Sequence, residues 1–244
     1  MLPPGLNETP RRARSFRKLA ICCLALLAIP TPHAYSEDGV VVAIPRSDDQ
    51  YSKLVKKLEA GETNINYQEF RESFLASAQF KIVGEQKPDL ATLRSTLHEL
   101  MDKAKYPEVI SVAKKMLSID YTDMEAHKVL QQTYKILGDT ANRNKYHDIE
   151  FGLLNSIVKK ADGKTCRTAW PVIQVAEEYF ILDMLGAKVQ RQSIDNTGGV
   201  CDRMQVQTDE GEKVYYFEIS RVSKDATIKA STDSWQTYAA SPAA

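Results

Sequence analysis

The sequence predicts an α+β fold in which helical hairpins come first and a small C-terminal antiparallel sheet packs against them. Three observations carry this reading. Apolar residues recur every three or four positions from about 48 to 160. Past Gly163 the period falls to two. Runs at 204–208 and 214–219 flank Asp209-Glu210-Gly211, a hairpin signal. Neither half covers its own apolar face, so the two are expected to share one core.

The chain opens on a targeting pattern. Arg11, Arg12, Arg14, Arg17 and Lys18 precede an 11-residue apolar run at 19–29, then Pro30 and Pro32. That run is too short to span a bilayer, and Ala34-Tyr35-Ser36 has the small-x-small spacing of a signal-peptidase site. Residues 1–36 therefore read as a signal peptide cleaved after Ser36. No stable membrane insertion is expected afterwards. Cleavage leaves 27 basic and 31 acidic side chains, a net charge of −4. Such a surface does not attract phosphate backbones, so no nucleic-acid partner is expected. Only Cys166 and Cys201 remain, and an oxidising compartment favours their pairing.

The exported part divides into an extended lead-in at 37–47, a helical region at 48–160, a sheet-containing region at 161–230 and a flexible tail at 231–244. In the lead-in, Val40, Val41, Val42 and Ile44 form a short apolar run ended by Pro45, a candidate edge strand. Tyr51, Leu54, Val55 and Leu58 repeat at helical spacing over 48–59, with Ser47 and Gln50 placed as a capping box. Asn66 and Glu69 mark a second helix, and Pro88-Asp89 breaks the chain before a third. Leu93, Leu97, Leu100 and Met101 line that third helix, and Val109, Ala113, Met116 and Leu117 the next. Thr122 and Glu125 form a capping box ahead of Ala126, Leu130, Tyr134 and Leu137. Gly138 closes that helix, and Asp139 starts a long one carrying Tyr146, Ile149, Leu153, Leu154 and Ile157. Further on, Val172, Ile173 and Val175 read as a strand. Residues 177–185 form a short helix or second strand closed by Gly186, and 189–194 are extended.

Leu97 and Leu130, like Met101 and Tyr134, stand 33 positions apart. This offset resembles a degenerate tetratricopeptide unit of one and a half repeats, too few for a free-standing solenoid. A second resemblance rests on Asp162-Gly163-Lys164-Thr165, on the run from Val172 through Gln174, Glu177, Glu178 and Tyr179 to Leu182, and on Tyr215-Tyr216-Phe217-Glu218-Ile219. Through these motifs residues 51–220 resemble an uncharacterised bacterial family, domain of unknown function 4919, found mostly in exported proteins. The resemblance implies export, a helical first half and a sheet-containing second half, and no assigned activity.

Candidate chemistry is sparse. Glu177 and Glu178 are adjacent, so a helix turns them about 100° apart and they do not pair as acid and base. One of them, with Tyr179, lines a candidate pocket, where partial burial raises a carboxyl pKa. The competing role is structural: capping the helix and binding backbone amides. His98 and Asp102 stand one turn apart, with His127 and His147 as remote third ligands, which falls short of a metal site. No catalytic residues, metal or cofactor are assigned. Tyr215 and Phe217 point to one sheet face and Tyr216 to the other, which is a candidate contact surface. These features fit a protein- or peptide-binding, assembly module of the bacterial envelope or extracellular space, its oligomeric state undetermined. The alternative is a small-molecule binder or hydrolase with its pocket near Glu178 and Tyr179.

Overall fold

The computed structural model describes residues 40–222. The expected signal peptide, its cleavage point and the tail from Ser231 lie outside the described residues. Among the described residues seven helices come first: α1 (Gln50–Glu59), α2 (Tyr67–Leu75), α3 (Ala78–Glu85), α4 (Lys87–Asp102), α5 (Tyr106–Ile119), α6 (Met124–Leu137) and α7 (Thr140–Val158). A 3-10 turn at Cys166–Thr168 leads into β1 (Trp170–Pro171) and α8 (Val175–Met184). Three strands follow: β2 (Lys188–Asp195), β3 (Cys201–Thr208) and β4 (Gly211–Glu218).

Local chemistry sets most helix boundaries, with some corrections to the sequence reading. Asn66 caps α2 by accepting from the Glu69 N–H at 3.2 Å, and Asp139 caps α7 through the Asn142 N–H at 3.0 Å, both as the spacing predicts. Gly138 ends α6 in the left-handed conformation at φ 76°. The capping box at Ser47 does not form. Asp49 caps α1 instead, accepting from the Ser52 N–H at 2.8 Å, because a carboxylate two residues closer to the first turn reaches it better. Similarly Asp123, not Thr122, caps α6 through the Ala126 N–H. The Thr122 hydroxyl bonds Asp120. A break absent from the sequence reading separates α2 from α3. There the Ser77 hydroxyl donates to the Phe74 carbonyl and accepts from the Phe80 N–H. Pro88 sits in the first turn of α4, where its missing N–H costs no helical bond.

The sheet order is β1-β4-β3-β2. β2, β3 and β4 form an antiparallel meander, and Thr208 opposite Gly211 closes the predicted hairpin. The sheet is mixed rather than wholly antiparallel, because β1 pairs parallel to β4, Trp170 opposite Phe217. Val172 and Ile173 are buried connectors, and Val175 begins α8, so the expected strand there is confined to Trp170–Pro171. The lead-in from residue 40 forms no strand. Val42 is nonetheless buried, and the Ala43 N–H bonds the Ser118 hydroxyl.

One apolar cluster unites the halves, running through Leu58, Phe70, Leu97, Leu130, Tyr146 and Leu153 to Ile181, Met204 and Phe217. Aromatic rings form its spine. Tyr51 stacks on Phe70 at 5.4 Å, Tyr121 meets His127 edge-on, and Tyr134 stacks on Tyr146. Such pairs add about 0.5–1.5 kcal/mol each beyond the area they bury. Leu97, Leu130 and Tyr134 are buried, while Met101 is half-buried and its sulfur accepts from the Thr133 hydroxyl.

Candidate functional site

The segment singled out by sequence, Glu177-Glu178-Tyr179, lies in the first turn and a half of α8. Gln174 precedes this helix without capping it. Its side-chain amide donates instead to Asp120 at 2.8 Å and to the Thr122 hydroxyl at 3.0 Å. Glu177 takes over part of the capping role, its carboxylate reaching back to accept from the Ile173 N–H at 2.8 Å. The Glu177 carboxylate also suits the positive end of the helix dipole.

The 100° between neighbours sends the two glutamates to different partners. Glu177, 3% exposed, meets Arg71 of α2, which donates through Nε at 2.9 Å and Nη2 at 2.7 Å. Arg71 also donates to the Pro171 carbonyl and reaches the Ser156 hydroxyl of α7. One guanidinium thus joins α2, α7, β1 and α8. Glu178, 0% exposed, turns toward the sheet and contacts Asp202 of β3, 1% exposed. Burial pushes the Glu178 carboxyl well above the ordinary carboxylate range, and the neighbouring Asp202 and Glu177 push it further. Burial raises Asp202 too, opposed by the Gln192 amide, which donates to its Oδ2 at 2.8 Å. Tyr179 is half-buried, and its hydroxyl donates to Gln192 Oε1 at 3.4 Å. Burial and the nearby Glu178 raise the pKa of this phenol. The order Tyr179, Gln192, Asp202, Glu178 is therefore a continuous polar line from the half-exposed rim to a buried acid. Both acids are closed to solvent, so a substrate atom does not reach them in this conformation.

The other sequence candidates are dispersed. His98 of α4 bonds Glu125 of α6 at 2.5 Å, beside Arg94, which pairs with Asp123 and Glu125. The Glu125 contact raises the His98 pKa. His127 is buried among Tyr121 and Tyr146, and His147 stacks on Phe151 at the surface. Among the described residues no group of three or more His, Cys, Asp or Glu side chains could hold a metal ion. Cys166 and Cys201 form a disulfide, with Cα atoms 5.8 Å apart.

Two depressions lie away from α8. One of about 390 Å³ is lined by Glu59, Gly61, Thr63, Asn142, Lys145 and Asp148, between the end of α1 and α7. The second, of about 270 Å³, lies at the α6–α7 turn and includes Lys135, Gly138 and Arg143.

Three sequence motifs meet in the sheet half. The Gly163 carbonyl accepts from the Tyr216 N–H at 2.8 Å. Gly163 holds φ 65°, and a Cβ there would fall 2.7 Å from the Trp170 ring. Trp170 packs on Tyr215 and Phe217. The family model described as a domain of unknown function, DUF4919, matches residues 42–227. The chain belongs to the DUF4919 family. The family domain therefore takes in every element from α1 to β4, including Arg71, Glu177, Glu178 and Asp202. No curated protein and no solved structure matches the chain.

Arg71, Asp202 and Gln192 escaped the sequence reading. Arg71 lies between Phe70 and Phe74 on the apolar stripe of α2, where a charge signals a buried partner. Asp202 alternates with Met204 and Val206, so starting the strand at Cys201 rather than Met204 places it on the core face.

Proposed function

We propose that this DUF4919 protein is exported and acts as a protein- or peptide-binding, assembly module of the bacterial envelope or extracellular space. Export is supported by the basic and apolar segments ahead of Ala34-Tyr35-Ser36 and by the Cys166–Cys201 disulfide, a bond that persists in oxidising compartments. The observation that carries the binding reading is the open depression between α1 and α7. Its wall offers the side chains of Thr63, Asn142, Asn144, Lys145 and Asp148 together with backbone at Gly61. Gly61 holds φ 87°, and a Cβ there would have no atom within 4 Å, so an approaching chain meets bare backbone. Mixed donors and acceptors of this kind suit a peptide backbone better than an apolar ligand.

The test is affinity capture from envelope extract with the mature protein and with Ala141→Trp, which fills the groove from an exposed position on α7. The expected result is a partner retained by the wild type and lost by the variant. Equal capture by both, or no reproducible partner, overturns the reading. Sequencing the mature N-terminus from the exported fraction tests export, with Glu37 as the expected first residue.

A further inference from the structure

α8 meets the sheet through two acids rather than an acid and a base. Neither Glu178 oxygen receives an N–H, and Asp202 Oδ1 is likewise without a donor. Gln192 donates to Asp202 Oδ2, which leaves Oδ1 buried and without a donor beside the uncapped Glu178 carboxyl. Ionised carboxylates only accept hydrogen bonds, so the Glu178–Asp202 contact holds only with a proton between them. Among the described residues, the surroundings supply the pair with no compensating cation. On α8 itself, Glu177 is engaged by Arg71. From β2 the facing groups are the neutral Gln192 and Ile194, and from β4 Phe217 stands opposite Asp202. On α6, Lys128 is held 2.8 Å from Asp183 and lies over the Phe180 ring. Glu150 of α7, raised by burial, interacts with that same lysine and with His147.

We propose that Glu178 and Asp202 share one proton at neutral pH and form a latch that holds α8 on the sheet until that proton leaves. In the closed state the Glu178 O–H donates to the Asp202 carboxylate. On opening, the proton passes to solvent base and leaves two carboxylates in a water-free interface, whose mutual repulsion and desolvation drive α8 outward. The sign follows from the direction of the shift. A carboxyl raised on folding contributes stability that is complete below its ordinary value of 4.5 and is lost as pH climbs toward the raised value. The helix is therefore held tightest in acid and loosest in alkali. Asp120, bonded to Gln174 at the start of α8, is raised to about 6, so its own titration is largely complete in the range well above pH 7.

Two readouts on the full mature protein test the latch. Infrared spectra of wild type minus Glu178→Gln at pH 7 are expected to contain the carbonyl stretch of a protonated carboxyl group. Hydrogen exchange of the amides at 180–182, compared at one pH at a time, is expected to be at least tenfold slower in Glu178→Gln than in wild type at pH 9. At pH 5 the two are expected to match. Asp202→Asn serves as the second variant should the first fail to fold. A difference spectrum without that band overturns the proposal, as does equal loss of protection in both variants at both pH values. A wild type whose melting temperature rises on adding calcium or magnesium also overturns it, since a cation would then occupy the place assigned to the proton.

Discussion

Arg71 and Glu177, 106 positions apart, form a bidentate ion pair in which each side chain is 4% exposed. The pair spans the two halves of the chain, and its remaining hydrogen-bonding groups are taken up by the Pro171 carbonyl and the Ile173 N–H. A buried pair satisfied in this way contributes little net stability, because desolvation offsets most of the attraction, but removing one member strands the other. Arg71→Met is therefore expected to cost about 3–5 kcal/mol in urea unfolding. The double variant Arg71→Met, Glu177→Leu is expected to recover most of that loss. Helix content and Trp170 fluorescence, read in a Trp235→Phe background, are expected to fall in a single transition. Separate transitions would show that the helices fold without the sheet.

Much of this architecture is written in local pattern. The 3.6-residue stripes of α4 to α7, the cap at Asn66, the glycine at 138 and the two-residue hairpin turn are each encoded within a few neighbouring positions. Position 172 shows where pattern fails. A buried apolar run reads alike whether it becomes a strand or the entry to a helix, and the choice here rests on Glu177, whose carboxylate holds the Ile173 N–H. The caps at Asp49 and Asp123 escaped because two residues within two positions of each other can cap at each site, and only three-dimensional reach decides between them. Glu177 and Glu178 stood out by sequence, yet their partners did not, since Arg71 and Asp202 arrive from distant segments.

His127 makes the fold sensitive to acid. It is fully buried, Nε2 donates to the Tyr121 carbonyl at 2.8 Å, and burial lowers its pKa to about 3. A histidine depressed on folding contributes stability present above its ordinary value of 6.5 and lost as pH falls from there toward 3. His127→Phe is expected to flatten this acid slope while costing about 1–2 kcal/mol at pH 7 for the stranded carbonyl. Asp120 acts in the opposite sense between 3.8 and about 6, so the slopes of variant and wild type are compared rather than read singly. An unchanged acid limb in the variant would refute this role.

Gly152 lies in mid-α7 beneath Tyr67 of α2. A Cβ there would fall 2.2 Å from the tyrosine ring, whose hydroxyl is anchored on the Thr63 carbonyl. Alanine in a helix interior normally gains up to about 1 kcal/mol over glycine. Here the clash reverses the sign, and Gly152→Ala is expected to lower stability by about 1–3 kcal/mol. Adding Tyr67→Ala removes the clash, so the second substitution should cost less in the variant than in the wild type. A thermal double-mutant cycle measures the difference.

The disulfide closes a loop that contains β1, α8 and β2, Cys166 and Cys201 being 35 positions apart. Cross-linking a loop of that length narrows the unfolded ensemble and stabilises the native state by about 3–4 kcal/mol in the chain-entropy model. The double variant Cys166→Ala, Cys201→Ala is expected to lose about that amount in urea unfolding, and dithiothreitol is expected to lower the wild type to the same midpoint while leaving the variant unchanged. The loss should concentrate in the unfolded state rather than in the native contacts. Native-state hydrogen exchange in α4 to α6, far from the bridge, should therefore weaken by the same free energy as global unfolding, whereas exchange through local openings should not change. A loss confined to the amides around the 3-10 turn would instead show that the bridge holds only its own corner of the sheet.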